Sequence, residues 1–313
     1  MVKLDPESQS NLEQLIQLIG GNQCCVFIGS GLSKVAGFPT WQELVDKLRG
    51  IAVQILGNDP VDPLQMLWEK ADIYRDAMGE DIYHQTIISA FQPEGKERFR
   101  AIHQSIMRLP FHAFVTTNYD MCLENAANYL NIQVISQFYP ELDPSYLRER
   151  HVYHVHGGLD PEHPNKFVGT IVLTKRDYQR AYLPETSLPI FLKTLFCNHT
   201  VVFIGYGLND IDLVNVIQRA RAELEERAVF ELEQGIGRRK ESHHFVIMHQ
   251  GVGGEEINNN LDSVKTLGLL PIFYNGETTH HTELEEILDM IQLRTTDLAL
   301  PKHVIMRDVF DGE

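Results

Sequence analysis

The sequence predicts an α/β fold: a mostly parallel sheet with helices on both faces and an added helical layer. Three observations carry that expectation. Short apolar runs of strand length recur along the chain, separated by stretches of helical periodicity, as in strands joined by helical crossovers. Runs such as Cys24-Cys25-Val26-Phe27-Ile28 are apolar throughout, which suits strands buried on both faces. Two of the runs lead straight into a Gly-x-Gly turn with a helix entry behind it.

Taken in order, residues 8–19 place Leu12, Leu15, Ile16 and Ile19 on one face and read as an amphipathic helix, ended by Gly20-Gly21-Asn22. The strand 24–28 follows and runs into Gly29-Ser30-Gly31-Leu32-Ser33. After Pro39, Thr40-Trp41-Gln42-Glu43 has the spacing of a capping box, so a helix through Leu44, Val45, Leu48 and Ile51 is expected. Residues 55–107 read as helical, punctuated by Pro60, Pro63 and Pro93, and form the expected added layer. Strands are expected at 112–116, 132–135, 152–155, 167–173, 201–204, 245–248 and 271–274, with helices notably at 210–232 and 283–293. Gly235-Ile236-Gly237-Arg238-Arg239-Lys240 reads as an exposed loop. One domain over 1–293 is expected, with 294–313 as a C-terminal tail or interaction segment, because periodicity weakens there.

Composition narrows the function. With 27 basic and 43 acidic residues the formal charge is −16, so a broad basic face for nucleic acid is not expected. Apolar residues at 43% and charged residues at 22% are ordinary for a globular chain. Four cysteines, two of them adjacent, are too few for a disulfide scaffold. The N-terminal residues show no signal-peptide pattern, and no run approaches the ~20 apolar residues that span a bilayer. The expectation is a cytoplasmic protein with no membrane contact.

One internal echo bears on chemistry. Val26-Phe27-Ile28-Gly29-Ser30-Gly31-Leu32 and Val202-Phe203-Ile204-Gly205-Tyr206-Gly207-Leu208 share an apolar strand, a Gly-x-Gly turn and a helix entry. Glycine lets the backbone turn tightly and approach a ligand, and a helix start offers amides to an anion. Two such loops at strand ends fit a Rossmann-like sheet that binds a dinucleotide. Neither completes the dehydrogenase fingerprint, since Lys34 and Asp210 stand where a third glycine is needed. No Gly-Lys-Ser/Thr phosphate loop is present.

In order, the motifs resemble the NAD-binding catalytic domain of the sirtuins, and more closely the sirtuin-like NAD-hydrolase domains of bacterial antiphage systems. Gly29-Ser30-Gly31-Leu32-Ser33 with Gly37-Phe38-Pro39-Thr40-Trp41 is similar to the first sirtuin segment and its Pro-containing loop. Thr116-Thr117-Asn118-Tyr119-Asp120 is similar to the family's Thr-Gln-Asn-Ile-Asp, and His156-Gly157 to its catalytic His-Gly. Gly205-Tyr206-Gly207-Leu208 stands in the place of the later Gly-Thr-Ser-Leu turn. The departures also inform. Between Gly158 and Val202 the sequence has a single cysteine, Cys197, so the family's zinc module of two Cys-x-x-Cys pairs cannot form and no zinc is expected. Ile171 through Tyr178, Ile-Val-Leu-Thr-Lys-Arg-Asp-Tyr, looks like the bacterial sirtuin-like group instead.

The resemblance implies an NAD+ glycohydrolase that releases nicotinamide and ADP-ribose. Asn118 and His156 are the implied catalytic residues, the first positioning the ribose and a water, the second accepting a proton. Gly29, Ser30, Gly31, Ser33, Trp41, Thr117, Asp120, Gly205, Tyr206, Gly207 and Asn209 are the implied NAD-binding positions. Trp41 or Phe38 would cover the nicotinamide ring and Asp120 would hold its carboxamide, with pyrophosphate on amides around 29–33 and the adenosine ribose near 205–209. The resemblance further implies an NAD-depleting effector of antiviral defence, acting by abortive infection and gated by a homo-oligomer or a partner, of which a HerA-type hexameric ATPase is the one the family suggests.

Blander roles stand beside each residue. His156 also fits a turn after a strand, Asn118 an Asx turn or helix cap, Asp120 a helix-dipole contact, and Trp41 a core position. His243-His244, His249 and His280-His281 are not expected to bind metal, since adjacent strand histidines point to opposite faces. Arg238-Arg239-Lys240 reads as a solvated loop, and Asn198-His199-Thr200 as a glycosylation pattern without a secretory context. Three other functions stay open: an NAD-dependent protein deacylase, a non-catalytic NAD or ADP-ribose sensor, and a nuclease-associated or DNA-regulating subunit whose partner supplies the basic surface.

Overall fold

A computed structural model describes residues 2–22, 24–92, 97–143, 147–160, 163, 166–208, 210–233, 243–251, 254–275 and 282–299. The strands are β1 (Cys24–Ile28), β2 (Phe114–Thr116), β3 (Ile135–Phe138), β4 (His151–His154), β5 (Gly158–Leu159), β6 (Phe167–Val168), β7 (Thr200–Ile204), β8 (Phe245–His249) and β9 (Leu270–Tyr274). Among the described residues, seven of them form one sheet in the order β3-β4-β2-β1-β7-β8-β9. Every pairing within it is parallel, while β5 and β6 make a separate antiparallel pair. The expected Rossmann-like α/β fold is therefore present.

The helices are α1 (Pro6–Gly20), α2 (Ser30–Val35), α3 (Trp41–Leu56), α4 (Leu67–Met78), α5 (Glu80–Phe91), α6 (Ala101–Arg108), α7 (Cys122–Tyr129), α8 (Lys175–Ala181), α9 (Ser187–Asn198), α10 (Ile211–Glu233), α11 (Gly254–Leu267) and α12 (Thr282–Ala299). Strand alternation sorts them onto two faces. Cys24, Val26 and Ile28 point to a core shared with α1, α6, α7 and α12. Cys25 and Phe27 point to the other core, shared with α8, α9, α10 and α11. All five β1 side chains are buried, as an uninterrupted apolar strand demands.

The added layer is α3, α4 and α5, packed around Leu48, Tyr74, Tyr83 and Ile87. It begins earlier than expected, because α3 starts at the capping box: Thr40 accepts from the Glu43 amide, and Glu43 reaches back to the Thr40 amide. α6 lies outside the layer, since Ile102, Ile106 and Met107 belong to the sheet's own core. The layer is tied to α8 by ion pairs, Lys175 to Glu69 at 2.8 Å, Arg176 to Asp72 at 2.7 Å and Arg75 to Asp177 at 3.1 Å.

Three expectations shift. The strand expected at 132–135 forms at Ile135–Phe138, on a sheet edge, while Ile132 and Val134 pack on the core as a connection. The strand expected at 167–173 stops at Val168, because Gly169 turns the chain at φ +73°. Helix α12 runs on to Ala299, past the expected boundary at 293; the remaining tail, the loop 235–240 and His280-His281 lie outside the described residues.

Candidate active site

The echoed segments are neighbours in the sheet. β1 and β7 pair with Val26, Phe27 and Ile28 directly beside Val202, Phe203 and Ile204, so both Gly-x-Gly turns emerge side by side. After β1 the chain proceeds to one half of the sheet, and after β7 to the other. Ligands of open α/β sheets bind at such a switch point, beyond the carboxyl ends of the strands. A cavity of about 520 Å³ lies there, within the range of small-molecule sites.

Ten of the thirteen expected site residues line this cavity: Ser30, Ser33, Trp41, Thr117, Asn118, Asp120, His156, Gly205, Tyr206 and Gly207. Gly29 and Gly31 do not. Their amides donate to the carbonyls of Ile204 at 3.1 Å and Gly205 at 3.0 Å. A Cβ on Gly29 would lie 2.5 Å from the Gly205 oxygen, and one on Gly31 2.9 Å from it. These glycines therefore let two in-register turns interlock, which leaves Ser30, Ser33, Gly205 and Gly207 to face the cavity. Asn209 lies outside the described residues.

Asn118 is fixed from several sides. Its amide nitrogen donates to Thr116 Oγ1 at 3.0 Å, and Thr116 in turn donates to the Ile28 carbonyl at 2.9 Å. Its Nδ2 donates to the Gly29 carbonyl at 3.0 Å and to Ser33 Oγ at 2.8 Å. A carbonyl can only accept, so this orientation of the carboxamide is set by its partner. Ser33 passes the chain on, donating to Asp120 Oδ2 at 2.5 Å. Both carboxamide hydrogens are thus used, and Oδ1 is a buried acceptor with no protein partner. Such an atom is costly in a finished core and suits a ligand or water.

Asp120 has inward partners as well. Its Oδ1 accepts from the Cys122 amide at 3.0 Å at the start of α7, so both carboxylate oxygens already hold protein groups. The carboxylate that was a candidate for the nicotinamide carboxamide here orders Ser33 and the helix entry. The blander helix-dipole reading of Asp120 therefore describes part of what it does.

His156 follows β4 and is buried, with its Nε2 2.9 Å from the Tyr182 hydroxyl. Burial without a neighbouring charge pushes its pKa down to about 3, so the ring is neutral at physiological pH. Its edge meets Tyr178, which stacks on Trp41 at 6.1 Å between centroids and on Tyr182 at 5.5 Å. Trp41, on the first turn of α3, is thus a cavity wall, and its Nε1 has no partner.

Several lining residues carried no motif signal. Trp68 from α4 meets Tyr178 edge-on at 5.9 Å. Asp210 accepts from Tyr178 at 3.0 Å and from the Asp212 and Leu213 amides at 3.1 Å each, capping α10. Burial raises the Asp210 carboxyl above its usual range, against these hydrogen bonds and one from Tyr206. The available signals were a polar residue at the third-glycine position for Asp210 and the distinctive segment 171–178 for Tyr178.

The four cysteines fall in β1, α7 and α9, and no group of three or more metal-ligating side chains occurs among the described residues. No described helix is long and apolar enough to cross a membrane.

Known proteins similar to this chain include bacterial NAD(+) hydrolases and a defence-associated sirtuin. Residues 112–265, which include Asn118, His156 and the second glycine turn, match the family model of the SIR2-like domain. The chain is 26% identical to the NAD(+) hydrolase ThsA of Bacillus cereus (strain MSX-D12) over 228 residues, covering 72% of this chain and 45% of that protein. It is 28% identical to Defense-associated sirtuin 2 of Bacillus subtilis over 240 residues, covering 68% of this chain and 22% of that protein. A third relative, the ThsA of Enterococcus faecium, is 24% identical over 229 residues, 69% of this chain and 43% of that one. The chain spans less than half the length of these relatives. Its fold, the order of its motifs and these matches together make the chain similar to SIR2-like proteins, with a SIR2-like match over residues 112–265 and likeness to NAD hydrolases and a sirtuin of bacterial defence.

Proposed function

We propose that this cavity hydrolyses NAD+ to nicotinamide and ADP-ribose. The observation that carries the reading is Asn118: a rigidly held carboxamide on the cavity wall whose one unused polar atom is an acceptor, close in the fold to a neutral histidine. The names of the relatives, NAD(+) hydrolases among them, point to the same substrate.

The chemistry asks little of the protein in acid or base strength. The bond between ribose C1′ and the pyridinium nitrogen breaks with its electron pair going to nitrogen, so nicotinamide leaves neutral. Water adds to the sugar cation and loses one proton to solvent. Asn118 Oδ1 is suited to accept from that water or from a ribose hydroxyl, which restricts its position. A neutral His156 can take a hydrogen bond from the same groups and stabilise charge as it develops. Trp41 offers a ring face to the planar leaving group. The pyrophosphate would lie along Ser30 and the 205–207 turn.

As a cellular role, the protein would deplete NAD+ in antiviral defence, an abortive response. An ungated NADase would kill its own cell, so activity would be held by assembly into a homo-oligomer or by a partner, a HerA-type ATPase being the candidate. The cavity-facing NAD-binding positions Ser30, Ser33, Trp41, Thr117, Asp120, Gly205, Tyr206 and Gly207, the cytoplasmic location and the absence of a zinc requirement belong to the same proposal. Chromatography of NAD+, nicotinamide and ADP-ribose tests it, with wild type, Asn118→Ala and His156→Ala compared. Stoichiometric nicotinamide and ADP-ribose from wild type only are expected; equal hydrolysis by both variants would sink the site assignment.

A further inference from the structure

Beneath the cavity lies a buried polar pair that the proposed reaction does not use. His154 ends β4, two residues before His156, and is 1% exposed. Its Nδ1 is 3.0 Å from the Asn118 carbonyl, and its Nε2 is 2.9 Å from Glu124 Oε1 on α7. Ser136 on β3 donates to the same Glu124 oxygen at 2.6 Å, and the Phe138 ring stacks on the imidazole at 4.7 Å. Three elements thus converge to hold one ring in one orientation. The Asn118 carbonyl can only accept, so Nδ1 carries a proton. Burial opposes a charge on this ring, but the Glu124 carboxylate outweighs it and raises the His154 pKa, while the same pairing lowers that of Glu124. A buried charge pair is an expensive way to make a core, since well-packed apolar residues serve stability as well or better. Its cost calls for a role that apolar residues cannot fill, and the peptide it grips belongs to Asn118.

We propose that His154 is a positioning residue: held at Nε2 by Glu124, it donates from Nδ1 to the Asn118 carbonyl and so fixes the backbone from which the Asn118 carboxamide meets the cavity. This rests on NAD+ hydrolysis at the cavity. Thr116 and His154 are partners in register across β2 and β4, so the Asn118 peptide is gripped from adjacent strands, at its amide by Thr116 and at its carbonyl by His154. Two glycines keep room for the arrangement: a Cβ on Gly158 would lie 3.2 Å from His154 Nδ1 and 2.9 Å from the Phe138 ring, and Gly157 turns the chain at φ +76°.

Amide isosteres separate the two contacts. The amide nitrogen of asparagine occupies the place of imidazole Nδ1, and that of glutamine the place of Nε2. His154→Gln keeps the Glu124 contact and loses the donor to Asn118. His154→Asn combined with Glu124→Gln keeps that donor and removes the charge pair. Nicotinamide release is measured under the condition that gives wild type its full rate, with cooperative unfolding checked for each variant. We expect His154→Gln to lose roughly a hundredfold in kcat with KM little changed, the scale of a misplaced catalytic group. The double variant should stay within about tenfold of wild type. A wild type that releases no nicotinamide overturns the underlying reading. An active wild type with the two variants equally impaired, or equally unimpaired, overturns the positioning role alone. The 15N resonances of the His154 ring test the contact without a substitution: a proton retained on Nδ1 through neutral pH supports it, and an unprotonated Nδ1 overturns it.

Discussion

The Tyr182 hydroxyl sits 2.9 Å from His156 Nε2, so one of the two ring nitrogens is already engaged by a protein group. Tyr182 also stacks flat on Tyr178, 6° between planes, so phenylalanine keeps the packing while removing the hydrogen bond. We expect Tyr182→Phe to raise nicotinamide release by about fivefold, the equivalent of one hydrogen bond of about 1 kcal/mol that no longer competes for His156. A fall in rate would instead put Tyr182 in the path of the proton.

Stability should fall on the acid side of neutrality, because burial holds His103, His156, His199 and His244 below the usual histidine range, and His156 and His244 show the scale. Burial holds His156 down to about 3, and burial with the neighbouring His243 holds His244 down to about 4. Unfolded, both titrate near ~6.5. Below that value the unfolded chain binds protons that the folded chain refuses, so stability drops by about 1.4 kcal/mol per pH unit for each. His154 has the opposite sign, its pKa being raised; its share is complete below ~6.5 and is lost only as pH rises above it. Between pH 6.5 and 5 the combined loss from His156 and His244 is about 3 kcal/mol, readable in thermal or urea unfolding. His244→Asn, which leaves an acceptor for the Val201 amide, should remove about half of it.

The interlocked turns make Gly29 irreplaceable in a way that Gly50 is not. An added Cβ at 29 meets the backbone at Gly205 and Tyr206, which cannot rotate away. Gly29→Ala should cost about 1–3 kcal/mol and abolish NAD+ binding by calorimetry, since overpacking spreads the turns that carry Ser33 and Gly205. Gly50 lies inside α3 with nothing within 4 Å of a Cβ. Gly50→Ala should therefore stabilise the protein by about 0.5–1 kcal/mol through helix propensity, with binding unchanged. Equal effects at the two positions would contradict the contact.

The parallel sheet was legible because buried strands such as 24–28 and 201–204 are apolar throughout, and the echo of glycine turns marked the switch point. Asn118 and His156 were legible as cavity-wall positions because each stands two residues past a strand end. What local pattern cannot supply is the partner. Gly29 reads alike whether it faces a phosphate or another turn, and only the register of β1 with β7 decides. Asp120 reads as a free carboxylate until Ser33, 87 residues away, is seen on it. Trp68 and Tyr178 come from separate helices and Asp210 from the cap of a third, and they meet only once the layer is folded over the sheet. The segment 167–173 looked like a strand by composition, but the turn at Gly169 overrides propensity.

The cavity also carries its own reporter. The chain has two tryptophans, Trp41 and Trp68, and both line the cavity, one stacked on Tyr178 and the other edge-on to it. Indole emission responds to displaced water and to a new ring at van der Waals distance, so a bound dinucleotide must perturb both fluorophores or come close to doing so. Titration with ADP-ribose, a product that cannot turn over, should change the emission saturably, with the midpoint equal to the dissociation constant from calorimetry. Trp41→Phe preserves an aromatic face and should keep binding while removing its part of the signal. Trp68→Phe should remove the remainder, so the double variant binds silently. Calorimetric binding by wild type without any change in emission would mean that the ligand sits elsewhere, and the assignment of the cavity would fall with it.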